Sequence, residues 1–266
     1  MNKLELKSSS RLLELCDSMG VLGIKTSFED EGASFNEVLR LKELCSQAKT
    51  KLLLKISGAE AKRDLNDAII IGVKGIVAPM IESPFALDKF IESSRSILGK
   101  ELMSNIELGI NIETIQAYNN FDEISKSSGF EELHHITMGR VDFVKSMGKD
   151  RTYCDSKDLL EKAINLFTKS KNFSKKVYLG GAISNSSKDF LTNLFRLGLL
   201  DKFETRYVIY DPAVALKKLE VALFEGQKLE LEILKNRMNY HVYHSKKEIE
   251  RIEMIEARVN DFGQNN

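Results

Sequence analysis

The 266-residue sequence predicts an α/β fold, a (β/α)8 TIM barrel with a C-terminal helical extension. Three observations lead there. Short apolar, β-branched runs alternate with stretches of helical period, the pattern of a parallel sheet with helices outside it. The runs are continuously apolar, as strands covered on both faces are. No GxGxxG follows an early strand, which weakens a dinucleotide-binding sheet. An open doubly wound sheet stays as the alternative, because about seven runs are evident where a barrel needs eight.

The runs are GIKTSFE (23–29), KLLLKI (51–56), GIVAPM (75–80), ELGINIE (107–113), HITMG (135–139), KVYLGG (176–181) and TRYVIYD (205–211). LELK (4–7) is a candidate short first strand ahead of a helix at 9–19. Helical stretches are expected at 34–48, 60–71, 84–97, 115–127, 157–170 and 186–198, where apolar residues recur at helical spacing. After Pro212 the strand signals stop. Segments 213–237 and 245–259 are charge-rich and helical in period, with Leu216, Leu219, Leu223, Leu229 and Ile233 on one face. The expected division is a catalytic barrel over 1–212 and a helical extension over 213–266. The extension is either a hairpin packed on its own barrel or an oligomerisation arm reaching a neighbour. NYHVYH (239–244) is its expected turn.

Composition narrows the function. Lysine plus arginine and aspartate plus glutamate are 39 each, so the surplus positive charge that drives nucleic-acid binding is missing. No stretch is long and apolar enough to span a bilayer, and the first residues lack the apolar core of a secretory signal. Cys16, Cys45 and Cys154 form no CxxC pair, which argues against a disulfide framework or a thiolate zinc site. The expectation is a cytoplasmic protein with neither nucleic-acid nor membrane partners.

In parallel barrels the active site lies at the C-terminal strand ends. Residues there include Glu29, Asp30, Glu31, Lys55, Glu113, Arg140, Asp142, Gly180, Gly181 and Asp211. Converging carboxylates with few histidines suit magnesium or manganese, which need only one or two protein carboxylates. Glu113 closes an apolar run, where a carboxylate is either metal-bound or seated at a helix N-terminus. Asp142 lies in a loop bracketed by Gly139 and Gly148, as a ligand-facing aspartate or as a helix cap. LGGAIS (179–184) reads either as an amide nest for an anion or as a tight turn capped by Ser184 or Asn185. Arg206 is expected near the start of its strand, in a salt bridge at the closed end. His134 and His135 precede the fifth strand and are expected to be structural.

Three segments resemble a known family. GVKGIVAPMIESPFAL (72–87), NIETIQAYNNFDEI (111–124) and ITMGRVDFVKSMG (136–148) are similar, in order and spacing, to the class II pyruvate aldolases of the HpcH/HpaI aldolase and citrate lyase family. The resemblance implies a phosphoenolpyruvate/pyruvate-type barrel. It implies Glu113 and Asp142 as ligands of a divalent metal, Mg or Mn. It implies the backbone of Gly139, Arg140 and Val141 as the binding site of the pyruvate carboxylate. The family's arginine falls near Lys55, which keeps the charge but not the bidentate fork. The family's His–Asp proton-transfer dyad is missing: Glu31 stands at the histidine position in FEDEG, and AIIIG replaces the aspartate. Glu31 or Glu60 is then the candidate base, and Lys55, with Arg140, the candidate oxyanion stabiliser.

The implied function is a metal-dependent carbon–carbon lyase acting on a keto acid and an aldehyde, in a homo-oligomer. Two alternatives stay open. One is a citrate-lyase-like enzyme cleaving an acyl-CoA, ranked lower because no basic cluster is evident near the rim. The other is a barrel that binds keto acids, or serves assembly, without turnover.

Overall fold

The computed structural model describes residues 1–240 and 246–264. Eight strands close a barrel in sequence order: β1 (Val21–Ser27), β2 (Lys51–Lys55), β3 (Gly75–Ala78), β4 (Glu107–Ile112), β5 (His135–Gly139), β6 (Lys176–Gly180), β7 (Lys202–Glu204) and β8 (Val208–Tyr210). The first seven run parallel to their neighbours, while β8 is antiparallel to both β7 and β1. A parallel return needs a long crossover, and only residues 205–207 separate β7 from β8, so the chain turns back as a hairpin. The eighth strand missing from the run count is therefore β7, which the sequence reading passed over. LELK is helix rather than strand.

That helix is α1 (Lys3–Met19), started by an Asn2–Glu5 capping box and stopped by Gly20 at φ 70°. Around the barrel follow α2 (Phe35–Gln47), α3 (Lys62–Ile71), α4 (Pro84–Met103), α5 (Ile115–Asn119), α6 (Phe121–Ile124), α7 (Arg140–Ser146), α8 (Lys157–Asn172), α9 (Lys188–Arg196) and α10 (Pro212–Ala215). The helix expected over 115–127 breaks into α5 and α6 at Asn120, whose ψ of 0° is not helical. Helix starts are marked as the sequence suggests: Ser34, Ser83 before Pro84, and Ser156 each accept a backbone amide. Leu52, Leu54, Ile76, Ile110, Ile136 and Leu179 point outward from the strands and are fully buried under the helices. This makes the apolar core a shell around the barrel.

The extension forms α11 (Leu219–Tyr240) and α12 (Lys246–Gln264). α11 lies along α1, where Arg11 binds Glu225 at 2.7 Å and Ser8 donates to Glu232. It presses on β8 at Gly226, where a Cβ would stand 1.9 Å from the Tyr210 hydroxyl. α12 packs back on α11 through Arg251–Glu230 and the Phe224–Phe262 ring pair. Residues 241–244 of the expected NYHVYH turn, with His241 and His244, lie outside the described residues. Among the described residues no helix is long and apolar enough to cross a membrane, and all three cysteines are free.

Candidate active site

Side chains alternate along a strand, so residues two apart share a face. On β4 this places Glu107, Gly109, Asn111 and, just beyond the strand, Glu113 toward the barrel axis. A cavity of about 390 Å³ opens at the C-terminal strand ends. Glu113, Asp142, Lys55, Glu31, Gly139 and Val141 all line it.

Glu113 is 2% exposed. Its Oε1 accepts the Met80 amide at 3.0 Å, and its Oε2 accepts the Asn111 side-chain amide at 3.0 Å. Met80 makes that contact from φ 51°, an uncommon conformation for a side-chain-bearing residue. The Lys55 ammonium stands 3.7 Å from Glu113 Oε2 and 2.9 Å from Glu29. Burial pushes the Glu113 carboxyl up; Lys55, the Met80 amide and Asn111 pull it down; the nearby Asp142 charge pushes it up again, and the net direction is upward. For Lys55, burial favours the neutral amine, but Glu113 and Glu29 outweigh it and the pKa is raised. Gly139 serves a purpose the sequence did not suggest. A Cβ there would meet Glu113 Oε2 at 2.8 Å, so glycine makes room for the carboxylate.

A hard dication fits this pair. Two carboxylates face one cavity, and Glu113 is buried with its charged form only partly compensated by Lys55, the Met80 amide and Asn111. Glu113 also retains acceptor capacity beyond its three contacts. Among the described residues no group of three or more His, Cys, Asp or Glu side chains is arranged as a metal cage, so water or substrate oxygens would complete the coordination.

Glu31 lines the same cavity with its side chain 6% exposed, paired with Arg206 and accepting the Tyr207 hydroxyl at 3.3 Å. Arg206 sits in the β7–β8 turn and therefore at the open end. The closed-end salt bridge expected for it presumed a parallel strand, and the hairpin reverses the direction.

Two other expectations are corrected. Glu60 is exposed and faces Lys62 at 3.5 Å, away from the cavity. Asp64 accepts both the amide and hydroxyl of Ser57, which ties that end of the loop to α3 and carries Glu60 outward. The Arg140 side chain is fully buried and cannot reach a substrate oxyanion. It donates to Gly181 O and Cys154 O at 3.0 Å, to Asp155 at 2.6 Å and to Ser187 at 3.2 Å, pinning together the loops that follow β5 and β6. Only its backbone remains for binding, and a Cβ at Gly181, whose φ is 83°, would stand 2.8 Å from the Arg140 and Val141 backbone nitrogens. The LGG segment makes a tight turn, with Ser184 capping the short 3-10 helix Asn185–Ser187, and Gly180, Gly181, Ala182 and Ile183 line the cavity.

The sequence reading also missed groups that only closure brings together. Arg151, Arg206, Arg251 and Arg258, from three separate segments, all line the cavity, together with the carboxylates of Asp30, Glu204 and Glu230. Lys25 and Glu204 pair across β1 and β7 inside it. His135 is structural, as expected, but lies inside the barrel. It is fully buried, stacks on Tyr178 at 4.2 Å, and has no hydrogen-bond partner for either ring nitrogen.

Comparison with known proteins agrees with this geometry. The family model described as HpcH/HpaI aldolase/citrate lyase matches residues 41–181, over half of the chain. A family member from Burkholderia cenocepacia J2315 superposes with a TM-score of 0.58 at 11% identity, over 74% of this chain and 82% of its own. The citrate synthase SbnG gives 0.60 at 14% identity over 83% and 89%. An HpcH/HpaI aldolase from Desulfitobacterium hafniense DCB-2 gives 0.57 at 13% over 83% and 85%. At these identities the likeness carries the fold alone. No curated protein matches in sequence. The family model covers over half of the chain and the closed barrel agrees with it: the chain belongs to the HpcH/HpaI aldolase/citrate lyase family.

Proposed function

We propose that this protein is a divalent-metal-dependent carbon–carbon lyase of the class II aldolase type. It would form or cleave the bond between C3 of a pyruvate enolate and an aldehyde carbon. The observation that carries the reading is the shared cavity of Glu113 and Asp142, with Lys55 against Glu113. Glu113 and Asp142 would hold magnesium or manganese, which when bound would supply Lewis-acid stabilisation of the charge developing on the keto oxygen.

The chain's own groups do the rest. The backbone at Gly139–Val141 orients the pyruvate carboxylate. Lys55 places a fixed positive charge beside the developing enolate oxygen. Glu31 accepts the C3 proton in addition and returns it to C3 after cleavage. Arg206 and Tyr207 hold that carboxylate in position, the task a second dyad member would have. In the addition direction the protonated Glu31 gives that proton to the aldehyde oxygen as the carbon–carbon bond forms; in cleavage Glu31 takes the hydroxyl proton as the bond breaks and delivers it to C3, so each direction balances.

The test is exchange of the pyruvate methyl protons with deuterium, followed by NMR. Glu113→Gln and Asp142→Asn should each slow exchange by roughly a hundredfold or more, and Glu31→Gln by about 10²–10⁴-fold. Exchange unchanged in both metal-site variants would remove the reading.

One observation favours a second reading. Glu31 is already engaged by Arg206 and Tyr207, which suits a barrel that binds keto acids without turnover. Tight oxalate binding with no exchange across pH and metals would select it.

A further inference from the structure

A second cavity lies outside the barrel wall. It sits over β1, between α1, α2 and α11, and its volume of about 400 Å³ is in the range of small-molecule sites. The walls are apolar. Ala33, Leu41 and Leu44 come from α2 and the loop before it, Ile233 comes from α11, and all four are buried. The charged groups around it cancel in pairs. Glu5 binds Arg40 at 2.6 Å, and Glu37 binds Arg237. A charged ligand would have to displace one of these partners or be buried without one, so the pocket suits an uncharged molecule.

The floor supplies one polar group. On β1, Lys25 and Ser27 face the barrel interior, where both line the strand-end cavity. Strand alternation therefore turns the Thr26 side chain outward, toward the second cavity that Thr26 also lines. Thr26 is 1% exposed, and its Oγ1 has no hydrogen-bond partner among the described residues. A buried hydroxyl left unpaired is costly, and a ligand hydroxyl would satisfy it. The same pocket touches the groups that hold Glu31. Tyr207 and Arg237 line it, the Tyr207 hydroxyl donates to Glu31 Oε2 at 3.3 Å, and Arg237 donates to Glu31 O at 3.3 Å.

We propose that this pocket is an effector site for a small uncharged molecule with an apolar body and one hydroxyl. The hydroxyl pairs with Thr26 Oγ1, and occupancy acts on Glu31 through Tyr207 and Arg237. The binding is independent of the aldolase reading, while the effect on turnover rests on it.

The probe is 1-hexanol, titrated calorimetrically into the full-length protein, with hexanoate as its charged counterpart. Hexanol should bind at a single site per chain, and hexanoate roughly tenfold more weakly or worse, because its charge would be buried unpaired. Thr26→Val keeps the shape and removes the hydroxyl, and should weaken hexanol about fivefold. It also removes an unpaired buried group, so its urea midpoint should be no lower than that of the wild type. Ala33→Phe fills the pocket and should abolish binding. No binding to the wild type, hexanoate as tight as hexanol, or equal affinity in Thr26→Val overturns the site. Saturating hexanol should then change the rate of pyruvate proton exchange by roughly fivefold or more in the wild type, and leave it alone in Ala33→Phe. If the wild type exchanges no pyruvate protons, the aldolase reading is what has failed, and the same comparison is made on the affinity for oxalate with magnesium. A value unchanged by hexanol overturns the effector role.

Discussion

A carboxylate at the end of β4 is costly to ionise without help, and Glu113 receives help from Lys55, the Met80 amide and Asn111. The help is incomplete, since its pKa stays raised. A raised acid pKa makes Glu113 oppose folding as pH rises through it, because the folded state holds the proton more tightly. His135 works in the opposite sense. Burial, then Lys202, pushes its pKa down from 6.5 to about 3. Between those values the unfolded chain binds the extra proton, so stability is complete above pH 6.5 and falls as the pH drops toward 3. The loss from this one group between pH 7 and 5 should be about 2 kcal/mol. Glu107, held at about 2 by Lys51 and Lys202 against burial, changes stability only at lower pH. Urea titrations at pH 7 and 5 should therefore show a drop in the wild type that His135→Phe removes; an equal drop in the variant would assign it elsewhere.

Among the elements, α11 is positioned by close approach. Gly226 lets it lie against β8, and the Tyr210 hydroxyl donates to Ala222 O at 3.1 Å across the contact. Gly226→Ala should destabilise the protein by about 1–3 kcal/mol through overpacking, measured by chemical denaturation. A neutral result would mean that α11 can move away from the barrel at no cost. The β7–β8 hairpin is the other element with consequences. It reverses the last strand and lifts Arg206 and Tyr207 to the mouth, where they meet Glu31. Had β8 been parallel, both would lie at the closed end.

At the scale of the molecule, closure of the barrel converts residues spread over much of the chain into one cavity. A ligand that binds only the folded protein raises its apparent stability, by about 2.7 kcal/mol at a hundred times Kd. Magnesium or manganese with oxalate should therefore raise the Tm of the wild type, and Glu113→Gln should abolish the shift. An equal shift in that variant would place the ion elsewhere.

Much of this was legible in the sequence. Alternating apolar runs and helical periods are local signals, because burial on both faces dictates residue type strand by strand. They identified β1 to β6, and the spacing of Glu113 and Asp142 relative to strand ends pointed to both carboxylates. Short elements escaped. The three residues of β7 carry too little pattern, and LELK has the apolar alternation of a strand until its Asn2–Glu5 capping box is seen closed. What only the tertiary structure decided was direction and company. Whether Arg206 lies at the mouth, and whether Arg140 faces substrate or pins two loops, depend on contacts between residues far apart in the chain. Such contacts leave no periodic trace, since a side chain's local pattern records its burial but not which distant partner buries it.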